Sequence, residues 1–280
     1  MAEPAITAIV PTRSRPDALE RCLRALARQT IAETLEIVVV ADGEQAAEAV
    51  EALVGSYPGA RLLAQQRRGP AAARNLGAAS ARARLLCFTD DDCEPQPDWA
   101  ERLADALERG ADAAAGSTVN PEEDDPLAVA SQLVVTHLTA ESARSSVHAV
   151  YGTANNLACT AVLASEVPFD PGFSFAGGDR DWCARVVAAG RRIVDVPDAI
   201  VLHRQRLTPA SFWRQHVAYG QGAYRYRRLH GSRLRLEGPA FYGRLLRRGL
   251  ADGPRVGALV ALTQVATAVG YARATLLRLR

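Results

Sequence analysis

The chain has 280 residues, 48% of them apolar and 23% charged, with a formal net charge of +2. This is an ordinary globular balance, enough for one large domain with an appendage or two small domains, and its near-neutral total argues against nucleic acid as a partner. All 33 basic residues are Arg, whose planar fork suits phosphate and carboxylate, and the five cysteines, Cys22, Cys87, Cys93, Cys159 and Cys183, make no C-x-x-C pair or metal spacing, so they read as small core residues in a reducing compartment.

The opening stretch MAEPAITAIVP carries an acid where a signal peptide has basic residues, and its apolar run is too short for a signal core, so the protein is expected in the cytoplasm. Residues 5–10 read as a strand and 17–29 as an amphipathic helix with Leu19, Cys22, Leu23 and Leu26 on one face. A strand at 35–40, a helix near 44–54, a strand at 61–64 and a helix opened by Pro70 continue the alternation, and residues 85–89 make a fourth strand. Short β-branched runs alternating with helical patterns predict an α/β fold with a mostly parallel sheet. The pattern then becomes less regular: a helix at 98–108, a strand at 113–119, an acidic loop at 121–126, a helical stretch to about residue 143, an apolar run at 157–163, a helix at 179–189 and a strand at 193–196. Thr208 followed by Pro209 is a helix start, and from there to residue 250 the chain is rich in Arg and aromatics. Residues 256–272 carry no charge between Arg255 and Arg273 but fall short of the roughly 20 residues that a spanning helix needs. A packed helix is the leading expectation there, with interfacial and spanning helices as alternatives.

The chemistry is expected at the carboxyl ends of the strands, where open α/β sheets bind ligands. The fourth strand ends in FTDDDCEP, placing Asp90, Asp91 and Asp92 side by side. Adjacent carboxylates raise one another's pKa unless a cation neutralises them, and Mg²⁺ or Mn²⁺ is held by one or two carboxylates with substrate phosphates completing the shell. A solvated turn in which Asp92 or Asp98 caps the next helix competes with that reading, as does a phosphatase nucleophile with the D-x-D spacing, although CEP lacks the Gly and Thr of such a loop. The first strand exits into PTRSRP, with Pro11, Thr12 and Arg13; the second into Asp42-Gly43; the third into QQRRGPAAARNLG, where Arg67, Arg68 and Arg74 bracket a helix start that favours an anion.

The ordered set IVPTRSRP, VVVADG, RRGPAAARNLG, FTDDDCEP, AGGDRDWCARVVAAG and His203 resembles the inverting family 2 glycosyltransferases of the GT-A fold over about residues 5–206. The resemblance implies a Rossmann-like, mostly parallel sheet flanked by helices, a nucleotide-sugar donor (UDP- or GDP-linked), Mg²⁺ or Mn²⁺ at the D-x-D motif, and inversion at the anomeric carbon. By that likeness Pro11, Thr12, Arg13 and Arg67 line the nucleotide-sugar site, Asp42 meets the base, Arg74 the nucleotide, Asp90 and Asp91 the ribose and diphosphate, and Asp92 the metal. Asp179 of GGDRD becomes the general base, with Asp181 as the other candidate. Two residues depart from the pattern: Ala41 and Gly178 stand where the family often has acids.

His203 after a short strand reads either as a hydrogen-bonded structural residue or as a metal or diphosphate ligand, for which a neutral imidazole is suited. Asn155 and Asn156 of GTANN read as sugar-hydroxyl ligands or as turn residues. These assignments divide the chain into a catalytic domain, 1–206, and a basic aromatic helical extension, 207–280. That extension reads as a packed helix pair, an acceptor lid or a peripheral contact with the inner face of the plasma membrane, so the acceptor hydroxyl is expected on a glycan or a lipid-linked carrier. The alternatives are a sugar-phosphate nucleotidyltransferase, although PTRSRP lacks that class's Gly-rich loop, and an inactive binding protein at a membrane surface.

Overall fold

The computed structural model describes residues 4–13, 15–43, 47–144, 151–173, 176–231 and 238–277. The first half alternates as β1 (Ile6–Thr12), α1 (Pro16–Leu26), β2 (Leu35–Asp42), α2 (Ala47–Gly55), β3 (Ala60–Gln65), α3 (Pro70–Ser80) and β4 (Leu85–Phe88). After it come β5 (Cys93–Pro95), α4 (Trp99–Glu108), β6 (Ala113–Val119), α5 (Pro126–Arg144), β7 (Leu157–Thr160), α6 (Ala161–Glu166), α7 (Gly178–Ala188) and β8 (Ile193–His203). The chain closes with α8 (Pro209–His230), α9 (Pro239–Ala251) and α10 (Pro254–Leu277).

The strands form one eight-stranded sheet in the order β3-β2-β1-β4-β7-β6-β8-β5. β3, β2, β1 and β4 run parallel, β7 pairs antiparallel with both β4 and β6, β6 and β8 are parallel, and β5 is antiparallel to β8. β1 and β2 are buried at every residue, as strands covered on both faces must be. Side chains alternate across β1: Ile6, Ala8 and Val10 join a core under α1 and α4, and Ile9 joins a second core with Phe88, Trp182 and Leu157. All five cysteines are buried and free within these layers.

Three elements depart from expectation. The apolar run at 157–163 divides at Thr160, whose hydroxyl accepts the Leu163 N–H at 3.1 Å and so ends a strand and caps α6. The strand expected at 193–196 extends to His203 despite Pro197. Val196 pairs with Gly116 and Ile200 with Ser117, so residues 197–199 bulge out of the ladder. Gly116 is required at that bulge, because a Cβ there would lie 2.2 Å from the Ala199 carbonyl oxygen. The short β5 carries no sequence signal of its own and exists through its pairing with β8.

The expected helical extension is present as α8, α9 and α10, and α5 joins it from within the first 206 residues. Ala130 of α5, Phe212 of α8, Leu245 of α9 and Val256 and Val260 of α10 share one apolar cluster. Thr208 and Ser211 form a reciprocal capping box at the start of α8, as the Thr-Pro signal implied.

Candidate functional site

The ends of β1, β2, β4 and β8 and the start of α7 carry the residues singled out above. At β4 the three aspartates are held separately. Arg15, in the N-cap position of α1, donates to both oxygens of Asp91 and reaches Asp92 Oδ2 at 2.7 Å. Thr12 donates its hydroxyl to Asp91 Oδ2 at 2.7 Å, and Arg74 pairs with Asp90. The carboxylates therefore already have protein cations beside them, which corrects the argument that a divalent ion is needed to neutralise them. Asp91 is fully buried, and burial pushes its carboxyl up to about 6 against the pull of Arg15. Burial also acts on Asp92, but the hydrogen bond and charge of His203, followed by Arg15, outweigh it and hold Asp92 below the usual carboxylate range.

His203 reaches this cluster through strand pairing. In the β5–β8 ladder Cys93 stands opposite His203, and the Arg204 N–H bonds the Asp92 carbonyl at 3.0 Å. His203 Nε2 thus lies 3.5 Å from Asp92 Oδ1, and Gln205 contacts His203 Nδ1 at 3.1 Å. Asp92, His203 and Cys93 bring potential ligand atoms within 4.8 Å of one another. The Cys93 thiol is enclosed, and burial raises its pKa well above the ordinary value, so it stays protonated. The donors that remain are one hard carboxylate oxygen and one borderline imidazole nitrogen, a pair that fits Mn²⁺ completed by phosphate oxygens better than Mg²⁺.

Asp179 is the second residue of α7. It accepts the Arg180 N–H at 2.9 Å and the Tyr151 hydroxyl at 3.2 Å. Burial raises its pKa, while those bonds, the Ala154 N–H and the charge of Arg74 oppose the rise. Asp181 lies in the same first turn but is 2% exposed, bonded to Arg185 Nε at 2.7 Å and His230 Nε2 at 2.9 Å. That enclosure removes it as a candidate base.

Other residues are placed as follows. Asp42 accepts backbone N–H groups from Arg68 at 2.7 Å and Gly69 at 3.0 Å and an amide N–H from Gln65 at 2.8 Å, so it shapes the loop that enters α3. Arg74 is buried, its guanidinium 5.8 Å from the centre of the Phe169 ring, and its Nε finds no hydrogen-bond partner among the described residues. Pro11 is buried within the β1–β2 ladder, and Arg13 and Arg67 are exposed at the strand ends.

Asn156 is a correction. Its side chain is fully enclosed, accepting from Trp99 Nε1 at 2.8 Å and donating to the Ser117 and Ala199 carbonyls at 2.9 Å each. It ties α4 to the β6–β8 bulge and has no amide hydrogen left for a sugar. The neighbouring Asn155 Oδ1 accepts from Thr118 and Thr153.

Sequence reasoning passed over four side chains here. Arg15 was visible in PTRSRP, and its position just before Pro16 aims it back at β4. Tyr151 contacts Asp179. Gln215 and Tyr219 sit one turn apart on α8, with Gln215 Nε2 3.0 Å from the Tyr219 hydroxyl and 3.4 Å from Gln205 Oε1. Burial pushes the Tyr219 hydroxyl up to about 12, and the charges of Asp179 and Asp92 add to that rise. None of these had a spacing that sequence inspection could use.

A family model described as glycosyl transferase family 2 matches residues 7–173. Glycosyltransferase AglE of Haloferax volcanii is 26% identical over 208 residues, covering 72% of this chain and 68% of that protein. Glucosyl-dolichyl phosphate glucuronosyltransferase of the same organism is 36% identical over 93 residues, covering 32% of this chain and 30% of that protein. Apart from AglE, the curated relatives are matched over less than half of their own length. Among solved structures, a mannosyltransferase from Pyrobaculum calidifontis in complex with GDP-Man and Mn²⁺ superposes with a TM-score of 0.59 at 17% identity, covering 99% of this chain and 79% of that one. This likeness identifies the fold as GT-A.

Proposed function

The chain belongs to glycosyl transferase family 2, whose members use nucleotide-sugar donors, and from that premise we propose that it transfers a sugar with inversion from a nucleoside-diphosphate sugar to an acceptor hydroxyl, with Asp179 as general base. The observation that carries the reading is the meeting of Asp92 Oδ1 and His203 Nε2 at one sheet edge, on which Arg74 and the half-buried Asp179 also converge. The GDP-Man and Mn²⁺ of the structural neighbour are in line with a nucleoside-diphosphate sugar, UDP- or GDP-linked, and a divalent ion in this chain.

The residues divide the work. Asp42 holds the loop where the base docks, Arg13 and Arg67 are the exposed cations available to the nucleotide, and Asp90, paired with Arg74, meets the ribose and diphosphate. Asp91, fully buried against Arg15 and Thr12, braces this turn instead of touching the donor, which corrects its assignment to the nucleotide-sugar site. Asp92 and His203 hold Mn²⁺ or Mg²⁺, which when bound supplies positive charge to the leaving diphosphate. For His203 to ligate through Nε2, its proton must sit on Nδ1 and the Gln205 amide must present its oxygen there, the orienting role such partners usually take. Asp179 takes the proton of the attacking hydroxyl, and burial, by raising its pKa, makes its carboxylate a stronger base. The acceptor hydroxyl belongs to a lipid-linked carrier or glycan met at the cytoplasmic face of a membrane, in line with the relative named for glucosyl-dolichyl phosphate.

Thermal denaturation with GDP or UDP tests the reading. At a nucleotide concentration near 100 times Kd, the stabilisation should be about 2.7 kcal/mol in Mn²⁺ and should vanish with chelator or in Asp92→Ala. Equal stabilisation in excess chelator refutes the metal assignment.

A further inference from the structure

A helix on a protein surface ordinarily turns a polar face outward, and α10 does not. Val260, Thr263 and Gly270 face inward, while Ala258, Leu262, Val265, Val269, Ala272 and Leu276 recur at helical spacing on the opposite side. Leu262 is 40%, Val265 54%, Val269 37% and Leu276 83% exposed. The row runs about 27 Å along the helix. α9 packs beside it through Gly249 and Gly257 and adds a second exposed row, Tyr242, Leu246 and Leu250.

The charge distribution identifies what covers this face. Residues 207–280 hold thirteen Arg against two acids, Glu237 and Asp252, whereas residues 1–206 hold 20 Arg against 29 acids. A near-neutral chain is thus divided into an acidic part that carries the site and a strongly basic part that carries the apolar rows. Arg255 and Arg273 are exposed at the two ends of the uncharged stretch, and Arg247 is exposed on α9. A second copy would set two basic surfaces against each other; an anionic lipid surface would be attracted to both features.

α10 has the length and composition to cross a membrane, but its inner face is committed. A Cβ on Gly220 would lie 2.0 Å from the Thr267 carbonyl oxygen and one on Gly270 1.9 Å from that of Val217, so the α8 and α10 backbones are in contact. Crossing would require that contact to be broken or the arginines of α8 to enter hydrocarbon.

We infer that α10 lies flat in the interface of an anionic bilayer, with Leu262, Val265, Val269 and Leu276 among the acyl chains and the flanking arginines against lipid phosphates. The inference deepens the reading of an enzyme acting at a membrane, and its test needs neither donor nor metal. Full-length protein in chelator is sedimented with vesicles of about 30 mol% phosphatidylserine in phosphatidylcholine, and with phosphatidylcholine alone. Binding should be at least about tenfold stronger to the anionic vesicles and should fall about tenfold or more in Val265→Glu and in Leu262→Glu, both exposed positions, with thermal midpoints unchanged. Failure of the parent protein to bind anionic vesicles, or undiminished binding by both variants, overturns the inference. A lipid-free dimer that both variants dissociate also overturns it, in favour of a second copy on this face. None of these outcomes bears on nucleotide binding, so the two readings fail separately.

Discussion

Asp179→Asn should separate catalysis from stability. The carboxylate is the second residue of α7, where an anion gains about 0.3–1 kcal/mol from the helix dipole, and Asn forfeits that gain. Asn keeps an oxygen for the Arg180 N–H, and the substitution removes the cost of burying a charge, which is what raises the Asp179 pKa. The two changes oppose each other, so net stability should move by about 1 kcal/mol or less, under about 4 °C in midpoint for a chain of this size. Loss of a general base costs about 10²–10⁴ in rate, or about 3–5 kcal/mol of transition-state stabilisation, several times the effect on folding. The pH dependence gives a second check. A carboxyl whose folded pKa is raised contributes its stability below the unfolded value, and that contribution is lost as pH rises through the folded value. Asp179→Asn should therefore gain stability relative to the parent as pH rises above the ordinary Asp range. Single-turnover transfer with a panel of nucleotide-sugars, beside donor affinity and denaturation from pH 4 to 8, measures all three. Near-normal transfer removes Asp179 as the base, and a stability difference independent of pH refutes the argument from burial.

Glu36 tests the sheet far from the site. It is nearly enclosed by Thr7, Arg61 and Arg82, and although burial opposes them, their bonds lower its pKa from the ordinary 4.5 to about 2. Its contribution, at most about 3 kcal/mol, is present above the unfolded value and is lost as pH falls from 4.5 to about 2; Glu36→Gln should be less stable at pH 7 and flatter in that window by urea denaturation, and parallel curves would refute the assignment. Gly222→Ala should cost about 1–3 kcal/mol and lower transfer more than donor affinity, because a Cβ there would lie 2.3 Å from the Ala176 carbonyl oxygen, next to the turn that presents Asp179. An unchanged thermal midpoint would show that α8 and this turn are not in contact.

The parallel half of the fold was legible because its signals are local. β-branched runs, the Leu19–Leu26 stripe and Pro70 at a helix start each act within a few residues, whereas the first helix, expected over 17–29, begins at Pro16 and ends at Leu26. The site was legible to the extent that strand ends collect on one edge, which brings Thr12, Asp90, Asp91 and Asp92 together. What escaped depends on long-range geometry. β5 has three residues and no pattern, yet its pairing with β8 is what sets His203 beside Asp92. Asn156 reads as a turn or ligand residue in GTANN, but the bulge at Ala199, 43 residues further along, needs its amide. Arg15 was printed in a motif already noted, and only the position of α1 shows that it serves Asp91 and Asp92.

Gly178, where the family often has an acid, is explained by packing around Asp179. Gly177 takes a left-handed φ of 85°, and a Cβ on it would meet the Gly222 carbonyl oxygen at 3.2 Å; one on Gly178 would meet Phe173 Cβ at 3.0 Å. Phe173 is held in turn from α8, with the Arg225 guanidinium 5.0 Å from its ring centre and bonded to Asp170 at 3.2 Å. A longer residue at 178 would push Phe173 away and open the seam between α7 and α8. The glycine pair lets α8 close on this turn, and the enclosure has an electrostatic consequence. An acidic neighbour raises the proton affinity of a carboxylate by repulsion, whereas burial raises it by removing water. In this chain burial is the leading cause at Asp179, so the close packing of Gly177, Gly178 and Gly222 acts on that carboxylate in the same direction as an acidic neighbour would.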